Sequence, residues 1–130
     1  MKKKVLCSYS EGVSAMLFHP NGNVKNNDFK NSILEVKKMI NSANYENARN
    51  RLCDLLSLNS ENPLIYNLIG VTYELEGNRV KASKFYRMAY FLDQTFTSAA
   101  NNLNRVGQFY YGGSGSVDLG IDEGGEIKWK

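Results

Sequence analysis

Apolar positions recur at three- and four-residue spacing through most of the chain, and this helical period stops at a few well-marked places. Tyr66, Ile69, Gly70 and Tyr73 fall on one stripe, preceded by Pro63 and followed by Gly77-Asn78. Proline opens a helix without loss, since its missing amide hydrogen would be unpaired there. Glycine or asparagine ends one by taking the left-handed conformation. The pattern predicts a helix from Pro63 to about Glu76. A second stripe, Ala82, Phe85, Tyr86 and Ala89, predicts another from Arg79 to Leu92. Gly70 and the alanines let these two helices approach closely, while the aromatics fill the angle between them.

The same grammar occurs earlier in the chain at a constant offset, where Ala48 matches Ala82, Leu52 matches Tyr86 and Leu55 matches Ala89. It predicts a helix over Lys30–Asn41 with Leu34, Val36 and Met39 apolar, a turn at Ser42-Ala43-Asn44, and a helix over Tyr45–Leu58. Val36 stands where the later copy has Gly70, so looser packing is expected there. A third copy begins at the same offset after the second: Thr97–Phe109 predicts one more helix, with Ala100, Leu103, Val106 and Phe109 apolar. Gly112-Gly113-Ser114-Gly115-Ser116 then ends the helical pattern. A lone last helix of this kind is expected to cap the array.

The stretch from Pro63 to Asp93 closely resembles the tetratricopeptide repeat, and the resemblance extends more weakly over 29–109. It implies an all-α fold, a short right-handed superhelix of antiparallel helix pairs. The corresponding organisation is an N-terminal segment (1–28), helical repeats over 29–111 (29–62, 63–96 and a capping helix 97–109), and a glycine-rich linker with a terminal segment (112–130). In that family the second, fifth, ninth and twelfth residues of each first helix line a concave groove. The resemblance therefore assigns Lys30, Ile33, Lys37 and Ile40, then Leu64, Asn67, Val71 and Glu74, then Ser98, Asn101, Arg105 and Gln108. Asn67 and Asn101 would bond a peptide backbone, Lys37 and Arg105 would meet acidic side chains, and Ile33, Leu64 and Val71 would supply apolar contact. Family members that clamp a terminal carboxylate use lysine and asparagine where this chain has Ile33 and Lys37, so that clamp is not expected. The implied function is a small non-catalytic adaptor binding a protein or peptide in the groove. Two alternatives stay open: a secretion-type chaperone, and a self-assembly module (a homodimer or polymer) completed by its C-terminal segment.

The two ends carry a different period. Val13-Ser14-Ala15-Met16-Leu17 suits a short strand or a helical turn, and His19-Pro20-Asn21-Gly22-Asn23 a turn. Ser116–Ile121 alternates, Asp122-Glu123-Gly124-Gly125 turns, and Glu126–Trp129 alternates again, the pattern of a small C-terminal β-hairpin. A hairpin alone is marginal in water, so it needs a surface to lie on, with a disordered tail as the alternative. Phe85, Tyr86, Tyr90, Phe91, Phe96, Phe109, Tyr110 and Tyr111 exceed what one helix pair buries, so some are expected against that segment or a second molecule.

Composition adds limits rather than chemistry. A chain of 130 residues fits one domain, and its net charge of +3 is too small to mark a nucleic-acid binder, although seven lysines fall within residues 1–40. Cys53 reads as a small buried hydrophobe, and its distance from Cys7 argues against a disulfide scaffold or a metal site. Met1-Lys-Lys-Lys4 lacks the apolar run of a signal peptide, and no stretch has transmembrane length, so the cytoplasm is expected and a membrane is not. His19, the single histidine, reads as a solvated turn residue. The glycines at 112–115 lack the Gly-Lys-Ser/Thr ending of a phosphate loop. Neither catalysis nor a cofactor nor a metal is expected.

Overall fold

Stripes and breaks become helices and turns in the computed structural model, which describes residues 26–108, 117–124, 126 and 127. Among these residues the fold is all-helical: α1 (Asn26–Asn41), α2 (Tyr45–Leu58), α3 (Pro63–Leu75), α4 (Arg79–Leu92) and α5 (Thr97–Val106). The predicted spans of α2 and α4 are the observed ones. Helix α1 starts earlier than expected, at Asn26, inside the segment set apart at 1–28. Helix α5 stops at Val106 instead of running on to Phe109, because Gly107 follows and its N–H closes back on the Leu103 carbonyl (3.0 Å). Among the described residues no helix is long and apolar enough to cross a membrane.

The expected C-terminal hairpin is represented by one antiparallel bridge, Ile121 to Ile127, with no strand among the described residues. Its turn is held by Asp122, whose Oδ1 accepts from the N–H groups of Gly124 and Glu126 (both 2.9 Å). The expectations for Val13–Leu17, for His19, for Cys7, for Phe109 to Ser116 and for Trp129 concern positions outside the described residues.

The chain divides into two units, Met1–Ser60 and Glu61–Lys130. In the first, α1 packs on α2, and Ile33, Val36, Ala48 and Leu52 are wholly buried. Arg51 of α2 reaches back to α1, pairing with Glu35 (3.0 Å) and donating to the Ser32 hydroxyl (3.2 Å). Cys53 is half-buried and disulfide-bonded, where the sequence led to the expectation of a small buried hydrophobe and no disulfide scaffold.

In the second unit α4 packs on α3 and α5 on α4, with a further contact between α3 and α5. Helix α3 is central: ten of its thirteen residues are buried, which is why it is apolar almost all round. Asn62 starts it, its Oδ1 accepting from the Leu64 N–H (2.9 Å) ahead of Pro63. Gly70 permits the close approach expected of it. A Cβ there would sit 2.6 Å from Tyr86 Cε1 and 3.2 Å from the Ala82 carbonyl oxygen of α4. Beside it Tyr73 stacks on Phe85, ring centroids 5.6 Å apart, with the Lys81 ammonium over the Tyr73 ring.

The repeat period survives in backbone detail. Helices α2 and α4 are equal in length and start at 45 and 79; α3 and α5 start at 63 and 97; α1 and α3 end at 41 and 75. The turns that end α1 and α3 are built alike. Asn44 N–H bonds to the Met39 carbonyl and Asn78 N–H to that of Tyr73, both at 2.8 Å, around a left-handed residue in each case. That residue is Gly77 (φ 93°) in the second turn but Ala43 (φ 61°) in the first. Left-handed backbone disfavours a Cβ by about 1–2 kcal/mol, partly offset by the greater unfolded-state freedom of glycine. Ala43→Gly should therefore stabilise the protein by roughly 0.5–1 kcal/mol, and Gly77→Ala should destabilise it by about 1 kcal/mol. Urea unfolding of both variants checks this, with opposite signs expected.

Candidate functional site

Helices α3 and α5 face each other with polar side chains, not apolar ones. Asn67 and Glu74 lie two turns apart on one side of α3, and Ser98, Asn102 and Arg105 repeat that spacing on α5. Asn67 and Asn102 expose no surface, Ser98 1% and Glu74 6%. Buried polar groups persist only when their hydrogen bonds are made inside the protein, and here they are.

Glu74 sits at the centre. Its Oε1 accepts from the Tyr86 hydroxyl of α4 (2.6 Å) and is ion-paired with Arg105 of α5; Arg105 Nε adds a bond to Oε2 at 3.3 Å. The same guanidinium donates through Nη1 to Asn102 Oδ1 (2.8 Å). Asn102 in turn donates through Nδ2 to Asn67 Oδ1 (2.9 Å), so one chain of hydrogen bonds connects three helices. Burial of the Tyr86 hydroxyl, then its bond to the Glu74 carboxylate and that negative charge, raise its pKa well above the ordinary phenol value of 10.0.

This chain of bonds ends on the protein's own C-terminal segment. The Asp118 carbonyl accepts from both Asn67 Nδ2 (2.9 Å) and Asn102 Nδ2 (2.8 Å). Asn102 Oδ1 also accepts from the Asp118 N–H (2.8 Å). Asn102 thereby uses both amide hydrogens and both carbonyl lone pairs. Asp118 makes two further contacts with its carboxylate: Oδ1 accepts from the Gly120 N–H (3.0 Å), and Oδ2 from Asn101 Nδ2 (3.3 Å). Gly120 has φ 81° and lies over buried Phe96, where a Cβ would come within 2.5 Å of Cζ and within 3.3 Å of Leu64 Cδ1. Ile121 next to it is buried, while Val117, Asp118 and Leu119 are half-buried.

The structure thus gathers Asn67, Glu74 and Arg105 into one network and brings Asn101 to its edge through Asp118. Leu64 underlies Gly120, and Val71 is wholly buried. Gln108 is exposed, its backbone carbonyl accepting from Arg79 Nη2 at 3.2 Å. Lys30, Ile33, Lys37 and Ile40 belong to the first unit; both lysines are half-buried and both isoleucines buried. Ile33, Leu64, Asn67 and Val71 therefore present no open surface of the sort a vacant groove would have.

Three participants have no assignment from the sequence: Asn102, Tyr86 in its hydrogen-bonding role, and Arg79. Family positions point to Asn101, and the predicted apolar stripe runs through Ala100 and Leu103. The buried stripe of α5 is instead Ser98, Ala99, Asn102 and Val106. The spacing of Asn102, four positions after Ser98 and three before Arg105, is the signal that would have found it. Arg79, at the start of α4, donates through Nε and Nη2 to the Val106 carbonyl (3.1 and 2.6 Å) and so caps the far end of α5. Part of the aromatic surplus does reach the C-terminal segment, through Phe96, whereas Phe91 is 84% exposed beside Tyr66, Arg87, Met88 and Leu92. Among the described residues no three His, Cys, Asp or Glu side chains gather where a metal could bind. No family model matches the chain, and no curated protein or solved structure matches it either.

Removing one partner of a buried ion pair strands the other charge. Arg105→Leu should cost about 3–5 kcal/mol, and adding Glu74→Gln should restore part of it, because glutamine still accepts the Tyr86 hydroxyl without a charge. Denaturant unfolding of the single and double variants checks the order. Above pH 10 the unfolded chain releases the Tyr86 proton while the folded protein retains it. This contribution to stability is complete below pH 10 and falls as pH rises, with a slope of up to about 1.4 kcal/mol per pH unit. Tyr86→Phe should lose that component, seen as a shallower decline in unfolding free energy between pH 10 and 11.

Proposed function

We propose that this protein is a small non-catalytic adaptor which binds a non-helical protein segment on the face shared by α3 and α5, within a short tetratricopeptide-like right-handed superhelix. The observation that carries this reading is the pair Asn67 and Asn102, whose amides hold both the N–H and the carbonyl of one residue, Asp118. Main-chain hydrogen bonding of this kind supplies affinity for a peptide irrespective of its side chains, leaving selectivity to the pockets beside it. The recurrence of helix starts and turn bonds at one constant interval supports the repeat architecture. Exchange of the same segment between two molecules is a second reading, favoured by the fact that the occupant belongs to the chain itself.

Selection of a displayed random heptapeptide library on the full chain tests the first reading. Enriched peptides should shift the side-chain amide resonances of Asn67 and Asn102 in a 15N spectrum. Peptides that bind without moving those resonances, or a library that yields no binder, would count against it.

A further inference from the structure

The segment that occupies the α3–α5 face shows what that face selects. Resting on the peptide-binding reading above, the geometry points to a partner protein that presents an Asp-X-Gly-aliphatic stretch, with residues 117–121 of this chain acting as its built-in competitor.

Each requirement follows from a contact. The aspartate is read twice: its backbone by Asn67 and Asn102, and its carboxylate by Asn101 and by the N–H two residues on. That last bond folds the chain into an Asx turn, which places the second following residue in left-handed backbone. Glycine is demanded there for two independent reasons, the φ of 81° and the buried Phe96 ring against which any Cβ would collide. The next position is aliphatic because Ile121 is 7% exposed, whereas the intervening Leu119 is half-buried and open to variation.

An outside partner fits better than a second copy. A segment joined to α5 by residues 107–116 faces its own site at an effective concentration on the order of millimolar. A second copy offers identical contacts and must vacate an identical site, so exchange gains nothing. A partner segment has no such site to leave. The resident segment is anchored at Asp118, Gly120 and Ile121, while its other residues from Val117 to Glu126 are half-buried or exposed among those described. It therefore sets a threshold that a partner overcomes by affinity or local concentration.

Binding of the fluorescent peptide Ser-Val-Asp-Leu-Gly-Ile-Asp to the full chain tests this, with wild type compared against Gly120→Val, which should release the resident segment. The peptide should bind Gly120→Val at least tenfold more tightly than wild type, and lose at least tenfold when its own glycine is made valine or its first aspartate alanine. Helicity by circular dichroism verifies the variant, and Asp118→Ala replaces it should Gly120→Val unfold. If the peptide fails on the released site while library peptides lacking this pattern still move the Asn67 and Asn102 resonances, the sequence assignment falls and the peptide-binding reading stands. If no peptide of any sequence binds, both fall. Wild type that dimerises with rising concentration, and is returned to monomer by the peptide, would assign the site to a second copy and overturn the outside partner.

Discussion

Everything in the second unit is arranged around one buried carboxylate. Glu74 lies on a helix with ten of its thirteen residues buried, and an unpaired charge there would cost more than a small domain can spare. The Tyr86 hydroxyl and the Arg105 guanidinium neutralise it from two other helices, so the packing of α4 and of α5 on α3 is tied to electrostatics as well as to apolar contact. Gly70 belongs to the same arrangement. It leaves the space through which the Tyr86 ring passes on its way to the carboxylate.

The network has an outward end, and that end holds the chain's own C-terminal segment at Asp118. Arg105 orients Asn102, Asn102 orients Asn67, and the two amides present a fixed pattern of donors and acceptor to the backbone of Asp118. Preorganised polar groups of this type bind with little ordering cost at the moment of association. The satisfied interior around Glu74 and the face that holds Asp118 are one continuous chain of hydrogen bonds.

Much of the helical plan was legible in the residues, because a period of 3.6 broken by proline, glycine and asparagine is a local signal. The boundaries of α2 and α4 follow from it directly, and so does the left-handed turn at Gly77. What escaped was non-local. Whether Asn101 or Asn102 faces α3 depends on how far α5 is rotated, and two adjacent asparagines leave the composition unchanged under a one-residue shift. Arg79 sits in the first turn of its own helix, where a cation is unfavourable, and makes sense only against the carbonyls of α5. The alternation around Asp118 suggested a strand. Its partner proved to be side-chain amides on helices, which no pairing rule for strands anticipates.

The double hold of Asn102 on a single residue also fixes register. By meeting both the N–H and the carbonyl of Asp118, that amide imitates one rung of a ladder, and the glycine two places on supplies a second checkpoint. A segment displaced by one residue would bring Leu119 to the amide and Ile121 to the space that admits only hydrogen. A single inserted residue between Asp118 and Gly120 would put the two checkpoints out of step.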